Sequence, residues 1–315
     1  MKEILRRALV ALGAALLMTV IIGAGALKRV DRWTQDALFQ RQGVPSSDIV
    51  IIGIDELALD VFGPYNTWDR NIMASALEKL AEDPEKRPAV VAIDILYAGT
   101  TFDQADERLA DAASALNCVV TASMAEFGDE ITWSNGHAVK LSALAVKRYL
   151  EPYEELRDVT RQGHINAVYD TDGIMRHTML SLSAPDGRQV NSMAYEAARA
   201  YCLYHDRSFS APSAKPGSFF YIPYTSKPGG YSDGVSLAML IAGQVPPDYW
   251  SGKIVFIGPY TTALQDGYYT SIEHAEQMFG VEIQANIVQC LLNSTYRTDV
   301  SDALQLAMAF VLFFV

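Results

Sequence analysis

Residues 8–27, ALVALGAALLMTVIIGAGAL, carry no charged side chain. As a helix they would run for about 30 Å, the thickness of a bilayer's hydrocarbon core. Lys2, Arg6 and Arg7 precede the segment, and Lys28, Arg29 and Arg32 follow it. Basic residues on both sides leave the orientation unfixed by charge. Ala24-Gly25-Ala26 offers a small-residue cleavage site, but the apolar run exceeds the ~7–15 residues of a signal-peptide core, which favours an uncleaved anchor. The expected organisation is therefore a cytoplasmic N-terminus at 1–7, a transmembrane anchor at 8–27 and an exported body. The other end, ALQLAMAFVLFFV at 303–315, is also uncharged. It is shorter than the ~20 residues a span takes. A buried terminal helix is one reading; the preferred one is the start of a second membrane helix, cut by the end of the chain.

Composition narrows the classes. The formal charge is −12, and removing the N-terminal segment strips Lys2, Arg6 and Arg7 against only Glu3. A nucleic-acid partner needs clustered Lys and Arg, so none is expected. Cys118, Cys202 and Cys290 show no C-x-x-C or zinc spacing and read as small apolar residues. No glycine-rich phosphate loop, G-x-S-x-G elbow or H-E-x-x-H motif is present, and the histidines at 137, 164, 177, 205 and 274 are scattered. No catalytic residue and no cofactor is assigned, and the metal question stays open.

Between the apolar ends, strand-like and helix-like runs alternate, which predicts an α/β fold with a mainly parallel sheet, flanking helices and a β-hairpin insertion. DIVIIGIDE (48–56), AVVAIDILY (89–97), CVVTAS (118–123), FFYIPY and KIVFIG (253–258) read as strands. Helical spacing of apolar residues predicts helices over 69–82, 103–116, 191–204 and 280–293. GHINAVYDTDGIMRHTMLSLS (163–183) reads as a hairpin around Asp170–Gly173. There, Arg176 would pair with Asp170 or Asp172, and His164 reads as a hydrogen-bonded structural residue.

The first two strands each end on an acid. Asp55, with Glu56 after it, and Asp94 fall at carboxyl ends of parallel strands, where open α/β sheets place ligands. With Asp106 or Asp266 nearby they form a candidate pocket for Mg²⁺ or Ca²⁺, or for a cationic or hydroxyl-bearing molecule. Arg70 is a candidate partner for these acids. The competing reading is that each acid caps the next helix.

Taken in order, IVIIGIDE with Trp68-Asp69-Arg70, VVAIDILY with Asp103, Asp106 and Leu109, GHINAVYDTDGIMR, GKIVFIG with Asp266, and FGVEIQANIVQCLL resemble the second of the CHASE families. These are extracytoplasmic sensory domains associated with cyclases and histidine kinases. The resemblance spans about residues 28–302. It departs at Tyr65-Asn66-Thr67, where relatives commonly show a tryptophan-proline-tryptophan type of run. It departs again at Gln284, where relatives often carry histidine. It implies a sensory domain at 28–302 of a cell-membrane receptor, with a small-molecule or physical signal, a homodimer by analogy, and a cyclase or kinase output beyond this chain. The lipid membrane is the other expected partner. An exported metal-dependent enzyme using the strand-end carboxylates, or a ligand-free dimerisation module, are the competing functions.

Overall fold

The computed structural model describes residues 2–134, 137–212, 217–298 and 300–314, with side chains except at 129–144 and 302. The chain forms two compact units, one from Met1–Arg41 with Arg297–Val315 and the other from Gln42–Tyr296.

The first unit begins with α1 (Lys2–Gly23), in which Ala15 is the one buried residue. Ile4, Leu5, Leu9, Val10, Leu17 and Val20 stand exposed. Hydrogen bonds from Ala24 and Gly25 back to Val20 and Ile22 close the helix, and α2 (Lys28–Phe39) starts after a short turn. The apolar helix thus runs over 2–23 and ends before the expected boundary at 27.

In the second unit, β1 (Ile49–Ile54) is buried throughout. It is followed by α3 (Glu56–Phe62) and α4 (Asn71–Ala81), the latter turning Met73, Ala76, Leu77 and Leu80 inward. β2 (Val90–Ile93) and α5 (Asp103–Leu116) repeat the pattern. β3 (Val119–Ser134) and β4 (His137–Leu150) form a long antiparallel hairpin. Next come α6 (Glu154–Val159), β5 (Arg161–His164) and the short strands β6 (His177–Met179), β7 (Ser181–Ser183) and β8 (Gln189–Asn191). α7 (Met193–Tyr204), β9 (Phe219–Tyr221), α8 (Leu237–Ile241) and β10 (Ile254–Pro259) follow. The hairpin β11 (Gly267–Thr270) and β12 (Glu273–Phe279) leads directly into α9 (Gly280–Leu292). In the first unit, α10 (Asp302–Phe314) closes the described chain.

The main sheet has the order β1-β10-β2-β3-β4, with β5 beside β3. All its pairings are parallel except β3 with β4. Alternate residues serve opposite faces. Val50, Ile52, Ile54, Val91 and Ile93 pack with Leu77, Leu80 and Leu109 of α4 and α5. Ile49, Ile51, Val90 and Ala92 pack with Ala194 and Ala197 of α7 and with Ile283 and Ile287 of α9. The sheet is therefore the middle of three layers, which is why its strands read as unbroken apolar runs rather than as alternating ones.

Three expectations need correction. Asp55 and Asp94, expected to share a pocket, end strands that are not neighbours, because β10 lies between β1 and β2 and pairs with both. The hairpin insertion is β3–β4, which extends well past the strand read at 118–123. The stretch 163–183 does turn at Asp170–Gly173, where Gly173 N–H donates to Asp170 O, but β5 joins the main sheet and β6 pairs with β9. At the apolar ends, α1 is the one helix among the described residues long and apolar enough to cross a membrane, and α10 is a shorter apolar helix.

β5 packs against α7 at a glycine. A Cβ on Gly163 would lie 2.4 Å from Met193 Cα and 2.6 Å from Met193 N. Both are backbone atoms, so the helix rather than a flexible side chain would have to move. Gly163→Ala is expected to destabilise the fold by roughly 1–3 kcal/mol, the usual cost of overpacking. Thermal or urea unfolding of the full chain in detergent measures it; a wild-type midpoint would show that α7 shifts freely.

Candidate functional site

Six residues marked by the sequence fall into three separate places. At the end of β1, Asp55 caps α3: the Ala58 N–H donates to its Oδ1 at 2.9 Å, and the Ser236 hydroxyl donates to the same atom at 2.6 Å. Glu56 is exposed and accepts a 2.6 Å hydrogen bond from the Thr261 hydroxyl, which holds its carboxyl below the usual range. For Asp55 the capping reading describes the geometry; Glu56, the first residue of α3, instead ties the helix start to Thr261.

Arg70 and Asp106 meet where α4 and α5 begin. Arg70 Nη1 lies 2.6 Å from Asp106 Oδ1, and Arg70 is only 6% exposed. Its guanidinium also donates to the Gly99 carbonyl and sits over the Tyr153 ring, 4.0 Å from the centroid. Asp106 accepts in turn from Thr101 N–H and from the Thr101 hydroxyl, each at 2.7 Å. Arg70, expected to partner Asp55 or Asp94, instead ties the loop before α5 to the start of α4. A buried charge that loses its partner is costly. Arg70→Ala should therefore cost about 3–5 kcal/mol in chemical unfolding, while Arg70→Lys, which keeps charge but loses the planar fork, should fall between that variant and the wild type.

Asp94 and Asp266 form the third place. Asp94 follows β2, its own N–H bonded to Ile257 O of β10 at 2.8 Å. Asp266 precedes β11, and the Tyr268 hydroxyl donates to its Oδ1 at 2.8 Å. Gly280, the first residue of α9, donates its N–H to the Asp266 carbonyl at 3.0 Å. A Cβ at 280 would lie 2.5 Å from Asp266 Oδ2, so only glycine lets the helix start against this carboxylate. Asp94, Asp266, Tyr268 and Gln284 line a small cavity of ≈ 40 Å³, walled on its apolar side by Ile165, Met175 and Ile283. Burial and the facing Asp266 carboxylate push the Asp94 carboxyl up to about 7. Burial likewise raises Asp266.

In the sequence Gln284 stands out only as a departure from relatives. The residue is 8% exposed, and its Oε1 is buried without a hydrogen-bond partner. Tyr268, stacked on Tyr169 with ring centroids 5.7 Å apart, carries no sequence signal of its own. The signal for Gln284 is its spacing: a residue four beyond Gly280 returns to the same face of the helix, beside Asp266.

Two other residues resolve elsewhere. Arg176 pairs with Asp170 at 2.8 Å and Asp172 at 2.9 Å, as its spacing implies. His164 is buried, but neither ring nitrogen has a hydrogen-bond partner, and burial pushes it down to about 3. It is a neutral packed residue, not the hydrogen-bonded one expected. His137 lies outside the described side chains. Among the described residues, no three His, Cys, Asp or Glu side chains form a metal-binding group.

The raised Asp94 carboxyl ties stability to pH. An acid whose folded pKa exceeds its unfolded value keeps a proton that the unfolded chain has already lost. The folded state is then penalised increasingly as pH rises from the ordinary carboxylate range to about 7. In metal-free buffer, Asp94→Asn should match the wild type near pH 4 and become more stable than it by pH 8. The gap is on the order of a few kcal/mol, because each tenfold change in proton affinity is worth about 1.4 kcal/mol. Unfolding midpoints across that range test it, and a pH-independent difference would contradict it.

Comparison with known proteins adds one match. A family model described as the CHASE2 domain matches residues 12–315. Neither a curated protein nor a solved structure matches the chain significantly.

Proposed function

The chain belongs to the CHASE2 family of extracytoplasmic sensory domains, and on that premise we propose that it is the sensing region of a membrane-bound signal-transduction receptor. The observation that carries the reading is the family match across nearly the whole chain. The exposed apolar surface of α1 supports a place in the bilayer, since soluble proteins rarely leave so continuous an apolar face to water. α10, apolar and also exposed along Leu304, Met308, Val311 and Leu312, is the start of the returning span.

In this reading the unit Gln42–Tyr296 lies outside the cytoplasm and receives a small-molecule or physical stimulus. The cavity beside Asp94 and Asp266 is the receiving point, because its lining includes the first turns of α9, and α9 leads along the chain toward α10. A stimulus that favours one packing of α9 over another shifts a two-state equilibrium in proportion to its differential affinity. A cyclase or kinase following α10 reads out the shift, and pairing into a homodimer gives two such helices a common interface to move against.

Thiol labelling in intact cells tests the arrangement. In a Cys118→Ser background, Asp103→Cys should react with a membrane-impermeant maleimide in intact cells, and Lys2→Cys only after lysis. The reverse pattern would overturn the topology. Within the receptor that contains this region, Gly280→Ala should change output at unchanged expression, because the added methyl displaces the Asp266 carboxylate against which α9 starts. Unaltered output from a folded Gly280→Ala receptor would remove this site from the signalling path.

A further inference from the structure

The walls of the Asp94–Asp266 cavity are chemically one-sided. Asp94, Asp266 and Gln284, each carrying side-chain oxygen acceptors, line the same small space. The described residues that line it include no lysine, arginine or histidine. Nearby titratable groups are the phenols of Tyr268, Tyr169 and Tyr65, the last raised by burial and by the facing Asp94. None of them supplies positive charge. Arg70, the cation expected to partner these acids, is committed to Asp106. A carboxylate pair buried without a cationic side chain either keeps a proton or takes up a positively charged ligand.

Gln284 provides an independent observation. Along α9 the other buried polar side chains are satisfied by the protein itself. Glu282 accepts from Gly229 N–H, Asn286 accepts from Thr225 N–H, and Gln289 accepts from Ser46 N–H, each at 2.9 Å. Gln284 alone of this set keeps a buried oxygen without a partner, on the turn that lines the cavity. An unpaired buried amide oxygen costs about 1–3 kcal/mol, so its place here calls for a ligand that accepts its lone pair.

We propose that this cavity is a binding site for one hard divalent cation, Mg²⁺ or Ca²⁺, held by Asp94, Asp266 and the Oε1 of Gln284. The donors are all oxygens, which suit these ions and not the softer metals that prefer thiolate or imidazole. At ≈ 40 Å³ the cavity admits an ion with a few of its waters. It is too small for an organic ligand, which typically occupies a pocket of ~300 Å³ or more. The cation bridges the loop after β2, the start of β11 and the first turns of α9, so its binding draws three separate segments onto one centre. The proposal deepens the sensor reading and rests on it for any effect on signalling, but not for the binding itself.

The test is isothermal titration of the full chain in detergent at pH 8 with MgCl₂ and, separately, CaCl₂, alongside the unfolding midpoint. Expected is saturable binding near one ion per chain for at least one of the two salts, with a raised midpoint. Asp94→Asn and Gln284→Leu should each weaken it tenfold or more. Asp94→Asn relieves a buried charge and should stay folded, so loss of binding in it reports the ligand rather than the fold. No binding of either ion at millimolar concentration, or binding unchanged in both variants, would overturn the proposal. Output assays distinguish the two readings: a receptor that signals but binds neither ion defeats the cation site alone. A chain that binds the ion with no output response defeats the sensor role of the site alone.

Discussion

One face of the main sheet in the Gln42–Tyr296 unit, and the loops around it, depend on burying α9. From Val281 to Leu291 every residue of this helix is buried, polar ones included. A helix enclosed on all sides has no solvent face on which to place polar groups, so each must find a partner or carry a penalty. Here they are the ties that fix the surrounding loops. Asn286 holds 225–226, Glu282 holds Gly229, and Gln289 holds both Ser46 and the Tyr231 hydroxyl. Irregular segments of the chain are thereby tied to one helix by hydrogen bonds as well as by packing. That also makes α9 sensitive: a displacement along its axis breaks several buried hydrogen bonds together, which favours discrete positions over gradual drift.

Much of this architecture is legible in residue order. The predicted helices 69–82, 103–116, 191–204 and 280–293 correspond to α4, α5, α7 and α9 within a residue or two, because each has a clear apolar stripe. Strand order is not legible. Val/Ile runs such as IVIIGI, VVAI and IVFIGP are interchangeable by composition, and nothing local says that the last lies between the first two. The β3–β4 hairpin escapes for another reason: after Ser123 its sequence mixes polar and apolar residues without a buried-strand signature. His164 shows the limit of residue-type reasoning: its neighbours in sequence do not reveal that the fold buries it without a partner for either ring nitrogen.

The candidate site is half visible in the sequence. Asp94 and Asp266 both stand out, yet their meeting depends on β10 pairing beside β2 and on a hairpin folding back between them. Asp55 and Asp94 look like a pair because their strands look alike. In the sheet, β10 holds them two strands apart, at about 4.8 Å per step. Arg70 and Asp106 are each plausible ligand contacts by residue type. Their pairing joins α4 to α5, and two helices that pack together on one face of a sheet need such a tie when a charge is carried inside. The difference between these two acid pairs is the cation: Asp106 has its own within the protein, and Asp94 does not.

The insertion of β10 also bears on how this unit is made. β1 leaves the ribosome early, but the strand it pairs with begins at Ile254. Until then Ile49–Ile54 is an apolar strand with both edges free, a state prone to mispairing with other chains. The sheet closes only when nearly the entire unit is present, so its contacts are distant in sequence and its folding is slow. The edge of β1 that β10 covers is completed only once residues 254–259 are available, so the first strand of the unit is among the last to be secured.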